Sequence, residues 1–165
     1  MVFNSIDFII FFPIVILVYF FIPIKLRYIW LLIVNYYFYM YWNPVYSVFL
    51  LTVTMITYLS AVGIEKIQDN LELKENKRHN LSKILFGGSI AVNLGMLLYF
   101  KYTNFFRELI NQLFNNVSLK PLDEFDILLP LGISFYMFTS LGYLTDVYHR
   151  KCKTEKNLVK YALFV

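Results

Sequence analysis

The stretch IDFIIFFPIVILVYFFIPI, Ile6–Ile24, decides the fold. It carries a single charged residue, Asp7, and is close to the ~20 residues needed to cross a bilayer core as a helix. No basic region precedes it and no small-residue cleavage site follows it, so it does not read as a secretory signal. It reads as a retained first transmembrane helix. Pro13 inside it predicts a kink, tolerated where neighbouring helices satisfy the freed carbonyl.

The pattern repeats along the chain. After the basic turn Lys25–Arg27, an apolar segment over Tyr28–Trp42 ends in a belt of Tyr and Trp, rings that favour the headgroup layer. Asn43 and Pro44 break it, because the residue before proline disfavours the helical region. A third segment covers Val45–Ile64. The polar stretch Glu65–Lys83 then reads as a solvated, partly helical loop. A fourth segment covers Ile84–Phe100 and a fifth Ile127–Tyr148, with Pro130 and Gly132 near its start able to break or bend it. Between these two, residues 101–119 carry an apolar stripe of Phe105, Phe106, Leu109, Ile110, Leu113 and Phe114. Arg107, Glu108, Asn111, Gln112, Asn115 and Asn116 lie opposite, so this reads as an amphipathic interfacial helix. The expected fold is all-α: a polytopic transmembrane helix bundle with five spans and one interfacial helix, in a single membrane domain.

Composition agrees. Hydrophobic residues are 59% of the chain and charged residues 16%. Soluble domains are nearer half apolar and a quarter charged, so the chain lacks the polar surface a soluble domain needs. Basic residues give an orientation. Lys25, Arg27, Lys66, Lys74, Lys77, Arg78, Lys83, Arg150, Lys151, Lys153 and Lys156 fall in odd-numbered connections, eleven against Lys101, Arg107 and Lys120 in the even ones. The basic-rich side is normally cytoplasmic. The N-terminus is therefore expected outside and the 65–83 loop in the cytoplasm, in the cell membrane.

No catalytic constellation stands out, and no catalytic, cofactor-binding or metal-binding residue is assigned. Gly87 and Gly88 lie in an apolar segment without the sequel of a phosphate loop. The single cysteine, Cys152, excludes an intrachain disulfide, and with His79 and His149 far apart a metal site is not expected. Rings inside the spans and charges between them argue against nucleic-acid binding. Asn35, Thr52, Thr54, Thr57, Asn93, Ser134, Thr139 and Ser140 sit at membrane depth, and read as hydrogen bonds between helices or as the lining of a polar path. Gly87, Ala91 and Gly95 share a helix face and are expected to pack within the bundle. Asp146 reads as an ion-pair partner of Arg150, with the alternative of an intramembrane functional acid. His149 reads as a headgroup or surface residue rather than a general base. Cys152 reads as a plain thiol, acylation being chemically open to it. The sequons at Asn80 and Asn116 fall on opposite expected sides.

Several segments carry a family resemblance. They are the opening Met1–Phe8, with Phe12, Pro13 and Tyr19–Pro23; Asn35–Pro44; and Asn93–Gly95 with Tyr99–Tyr102 and Asn104–Phe106. The most specific is Leu129–Phe135, followed by Leu141–Tyr143 and Asp146–Tyr148. The closing Lys160–Val165 resembles the lead-in to a further helix. Together they resemble the alginate O-acetyltransferase subunit I type of the membrane-bound O-acyltransferase family. The resemblance implies acyl transfer from a cytoplasmic donor, acetyl-CoA or another activated carrier, with no cofactor held. The acceptor would be a hydroxyl of an extracytoplasmic polysaccharide, reached directly or through an acetyl-relay protein. It places the family's histidine in a later helix, so the chain is expected to be the N-terminal part of a longer protein and inactive alone. A transporter or channel subunit, with Pro130–Gly132 as a discontinuous helix, is the rival reading. A membrane scaffold without chemistry is a third.

Overall fold

The computed structural model describes residues 5–42, 44–116 and 132–165, and the elements among them are all helical. They are α1 (Ile6–Phe21), a 3-10 turn (Ile24–Leu26), α2 (Arg27–Trp42), α3 (Pro44–Asp69), α4 (Glu75–Asn116), α5 (Ile133–Tyr148) and α6 (Leu158–Phe164).

Local chemistry sets the ends. Ser5 caps α1, its hydroxyl accepting from the Phe8 N–H at 3.2 Å, and Asp7 in the first turn complements the helix dipole. Pro13 leaves α1 continuous. The helix stops at Phe21 rather than Ile24, because Ile22, held before Pro23, takes extended backbone with ψ 138°. α2 folds back on α1: Trp30 Nε1 donates to the Val15 carbonyl at 3.3 Å, and Arg27 lies 4.8 Å over the Tyr19 ring.

Two expected boundaries are corrected. The polar stretch 65–83 is mostly helical: α3 runs on to Asp69 and α4 starts at Glu75, leaving 70–74 as the connection. Lys101 is no boundary either, because α4 continues through it to Asn116. From Met96 to Asn116 no proline or glycine interrupts the helix, so nothing separates the fourth segment from the expected interfacial one. The side chains of the expected stripe at Phe106, Leu109, Ile110, Leu113 and Phe114, residues 117–119, Pro130 and the expected span start at Ile127 lie outside what the structure describes. α5 begins after Gly132, whose φ of 73° is a left-handed conformation that glycine adopts without strain.

α3 is the central helix, packing on α2, α4, α5 and α6. Its buried residues, from Tyr46 and Ser47 through Leu50, Val53, Thr57 and Ala61 to Ile64, recur every three to four positions and form one face. They meet Leu97, Ile133, Tyr136 and Met137 in one cluster, and Leu144 and Val147 in another. α3 and α4 pack tightly at Gly63, where an added Cβ would lie 2.9 Å from Leu85 Cδ2. Among the described residues nothing packs on the expected face Gly87–Ala91–Gly95: Gly87 and Gly95 have open space beside them and Ala91 is exposed. The larger side chains on α4's opposite face are those that meet α3 and α5.

The outer surface carries Ile9, Ile10, Leu17, Phe20, Leu59, Phe135 and Phe138 exposed, while Ser47, Thr54, Thr57, Ser89, Asn93 and Ser140 are buried. Apolar outside with polar inside is the reverse of a water-soluble domain. α3 and residues Glu75–Thr103 of α4 are long and apolar enough to cross a bilayer, with hydropathies of 1.9 and 1.6. α1, α2 and α5 have 16 residues each.

Candidate functional site

The polar side chains at depth mostly bond within their own helices. Thr52, Thr54, Thr57 and Thr139 each donate a hydroxyl to the carbonyl one turn back, at 2.8–2.9 Å. The i−4 carbonyl is the nearer acceptor, and across helices Thr54 faces Tyr36 of α2 and Thr57 faces Tyr161 of α6. Asn35 is exposed and Ser134 half-buried. Asn93 is fully buried; its Nδ2 donates to the Ser89 carbonyl at 2.8 Å, and its Oδ1 has no partner among the described residues. Ser47, Ser89 and Ser140 also bury hydroxyls without a well-formed hydrogen bond. The Tyr161 hydroxyl, 1% exposed as a residue, approaches Ser140 and Thr57 without reaching full hydrogen-bond geometry. Buried polar side chains thus occur on α3, α4, α5 and α6, and Tyr161 also lines a surface cleft.

That cleft, of about 650 Å³, lies between α5, the 149–157 segment and α6. Its walls include Tyr143, Asp146, Cys152, Glu155, Lys160 and Tyr161. Tyr143 and Asp146 stand one turn apart on α5. The segment beyond is pinned at three points. The Glu155 N–H donates to the Tyr143 hydroxyl at 2.9 Å. Thr154 donates through both N–H and hydroxyl to the Glu65 carboxylate, which nothing in the sequence pattern had singled out. The Tyr58 hydroxyl donates to the Lys156 carbonyl at 2.9 Å. α6 then starts from an Asn157 cap.

The expected Asp146–Arg150 pair is replaced. Asp146 lies 3.7 Å from Lys151 Nζ, and Arg150 turns away to Gln68 and Asp69 of α3. The cause is the end of α5: the Lys151 N–H bonds the Asp146 carbonyl and the Arg150 N–H bonds the Val147 carbonyl. This reversal puts Arg150 at φ 58° and sends its side chain across to α3. Partial burial first, then the carboxylates of Asp146 and Glu65, push the exposed Cys152 thiol up.

Two carboxylates, an amine and phenols can bind and orient a polar group here. Neither histidine lines this cleft.

Comparison with known proteins points the same way as the motifs. Over its full length the chain is 33% identical to the probable alginate O-acetylase AlgI of Pseudomonas putida and covers 33% of it. It is 34% identical to that of Pseudomonas syringae pv. tomato, covering 30%. A peptidoglycan O-acetyltransferase of Helicobacter pylori is 34% identical over 73% of the chain and 20% of its own length. The chain spans about a third of the length of the alginate O-acetylases it matches. No family model matches the chain, and no solved structure matches it. The resemblance to the alginate O-acetylase type holds across the whole chain, and with the apolar exterior of the bundle it marks a membrane protein.

Proposed function

We propose that this chain is part of a membrane-bound O-acyltransferase that transfers acetyl groups to hydroxyls of a cell-envelope polysaccharide. The observation that carries this reading is similarity along the entire chain to alginate O-acetylases, joined by a peptidoglycan O-acetyltransferase. Both kinds of relative share one chemistry, an acetyl ester on an envelope glycan. The donor is a cytoplasmic activated acetyl carrier such as acetyl-CoA, and the acceptor side involves a relay protein or the polymer itself. The base that takes the acceptor proton lies outside this chain. Residues 1–165 act as a single membrane domain, the N-terminal portion of the enzyme.

The reading includes five crossings, by α1, α2, α3, the first part of α4, and α5, with the N-terminus outside. α4 supports it by its length: at 1.5 Å per residue its 42 residues reach about 63 Å, twice the ~30 Å core. Its remainder leaves the bilayer on the outer side, where Lys101 and Arg107 stand. The transporter reading is not favoured. Among the described residues the polar residues classed as buried are Ser, Thr and Asn, with no carboxylate to bind a coupling cation.

Cells lacking the gene are expected to lose O-acetyl ester from the envelope polymer and to regain it on complementation. Ester content unchanged by the deletion rejects the reading. Topology has its own test in Cys152, with any cysteine elsewhere in the parent replaced by serine. A membrane-impermeant maleimide should label it only after the cytoplasmic side is opened. Because the thiol is pushed up, labelling should accelerate at a higher pH than for a free cysteine, and Asp146→Asn should bring that pH down. Labelling of intact cells would overturn the orientation.

A further inference from the structure

The two histidines that the sequence leaves far apart meet at one cavity of about 430 Å³, where the ends of α3 and α5 face the start of α4. We propose that this cavity binds a phosphoryl group. On α4, Glu75, Arg78, His79 and Ser82 follow one another at helical spacing and present one face to it. His149 and Arg150 close it from the end of α5.

The frame exists before any ligand. Arg150 Nη2 donates to the Gln68 carbonyl at 2.7 Å and Nε to Gln68 Oε1 at 3.1 Å, while Gln68 Nε2 donates to the Tyr148 carbonyl at 2.9 Å. These bonds hold Arg150, a non-glycine residue, at φ 58°. Ser82 supplies an independent observation. It lines the cavity, is 1% exposed, and its buried hydroxyl has no partner among the described residues.

The donor set defines the ligand class. The Arg78 guanidinium, two imidazoles and the Ser82 hydroxyl can all donate. The positive end of the helix dipole adds to them. Asp69, 3.9 Å from Arg150, and Glu75 are the opposing charges. Two arginines on the walls exclude a metal cation, and the volume suits a phosphoryl group with the alcohol it esterifies. In the proposed orientation the cavity opens at the cytoplasmic surface, so the ligand is either a phospholipid headgroup or a soluble phosphate ester. The inference does not rest on the acyltransferase reading.

The test uses the whole parent protein in two arms. In detergent and phosphate-free buffer it is titrated with inorganic phosphate at constant ionic strength, and its melting temperature is followed. In nanodiscs of phosphatidylcholine with rising phosphatidylglycerol, bound phosphatidylglycerol is counted by native mass spectrometry. Saturable binding is expected in at least one arm. It should weaken about tenfold in R78Q/H79Q/H149Q and about threefold in Ser82→Ala, which leaves the Gln68–Arg150 frame intact. If the triple variant does not elute and melt like the wild type without ligand, R78Q and S82A alone decide. A response in the lipid arm only assigns a headgroup, and in the phosphate arm only a soluble ester. No saturable response in either arm, or an equal response in the variants, overturns the proposal.

Discussion

Truncating Leu144 to alanine is expected to destabilise the bundle by about 2–4 kcal/mol, whereas Leu59→Ala should change it by less than about 0.5 kcal/mol. Leu144 is fully buried in the cluster with Ala61, Ile64 and Val147, and Leu59 is 60% exposed on the outer side of α3. In a membrane the reasoning differs from that for a soluble core. Lipid tails are as apolar as leucine, so burial against another helix brings no transfer energy, and the cost of Leu144→Ala is lost packing around a cavity. At Leu59 lipid closes over the smaller side chain, and little is lost. Reversible unfolding in mixed micelles, read by melting midpoint, compares the two. Equal costs at both positions would reject the packing of α5 on α3 and α4.

The contrast between these two leucines also shows what the sequence could not reveal. Apolar runs and the turns at Pro23 and Asn43–Pro44 locate α1, α2 and α3 closely, because proline acts on its immediate neighbours. In a membrane bundle both faces of a helix are apolar, so hydropathy does not say which leucine meets protein and which meets lipid. The Gly87–Ala91–Gly95 stripe shows this: a face suited to close helix packing is exposed, and Gly63, with no such pattern around it, is where α3 and α4 touch. Helix ends in polar stretches were also obscure. Glu, Lys and Gln are good helix formers, so α3 and α4 run on through 65–69 and 75–83, where charge alone suggests a loop. Partners far apart in sequence were the least legible. Glu65 with Thr154, Gln68 with Arg150, and the shared cavity of His79 and His149 all depend on α3, α4 and α5 ending at one surface. The acetyl-transfer reading, by contrast, came from short motifs in order, and full-chain similarity to alginate O-acetylases supports those motifs.

Replacing Asn93 by leucine is expected to raise stability while lowering acetyl transfer by the parent enzyme at least tenfold, and the two effects are to be measured together. Asn93 is fully buried on α4, and its Oδ1 has no partner among the described residues. A buried unpaired acceptor costs about 1–3 kcal/mol, and a leucine of similar volume removes it. The Ser89 carbonyl that accepts from Asn93 Nδ2 still has its backbone bond in α4, so little is lost on that side. A polar group kept against stability is a local inconsistency of the kind found at working sites. Ser89, Ser140 and Ser47 bury further hydroxyls without a partner among the described residues, so the inconsistency is shared by α3, α4 and α5 rather than confined to one residue. In the transferase proposed above, with donor and acceptor on opposite sides, buried polar groups of this kind would offer contacts along the path between them. Ester formation unchanged beside a higher melting temperature would make the buried Asn93 a structural remnant. A lower melting temperature would mean that Oδ1 finds its partner in the part of the enzyme beyond this chain, and Asn93 would then serve the docking of that part rather than the path.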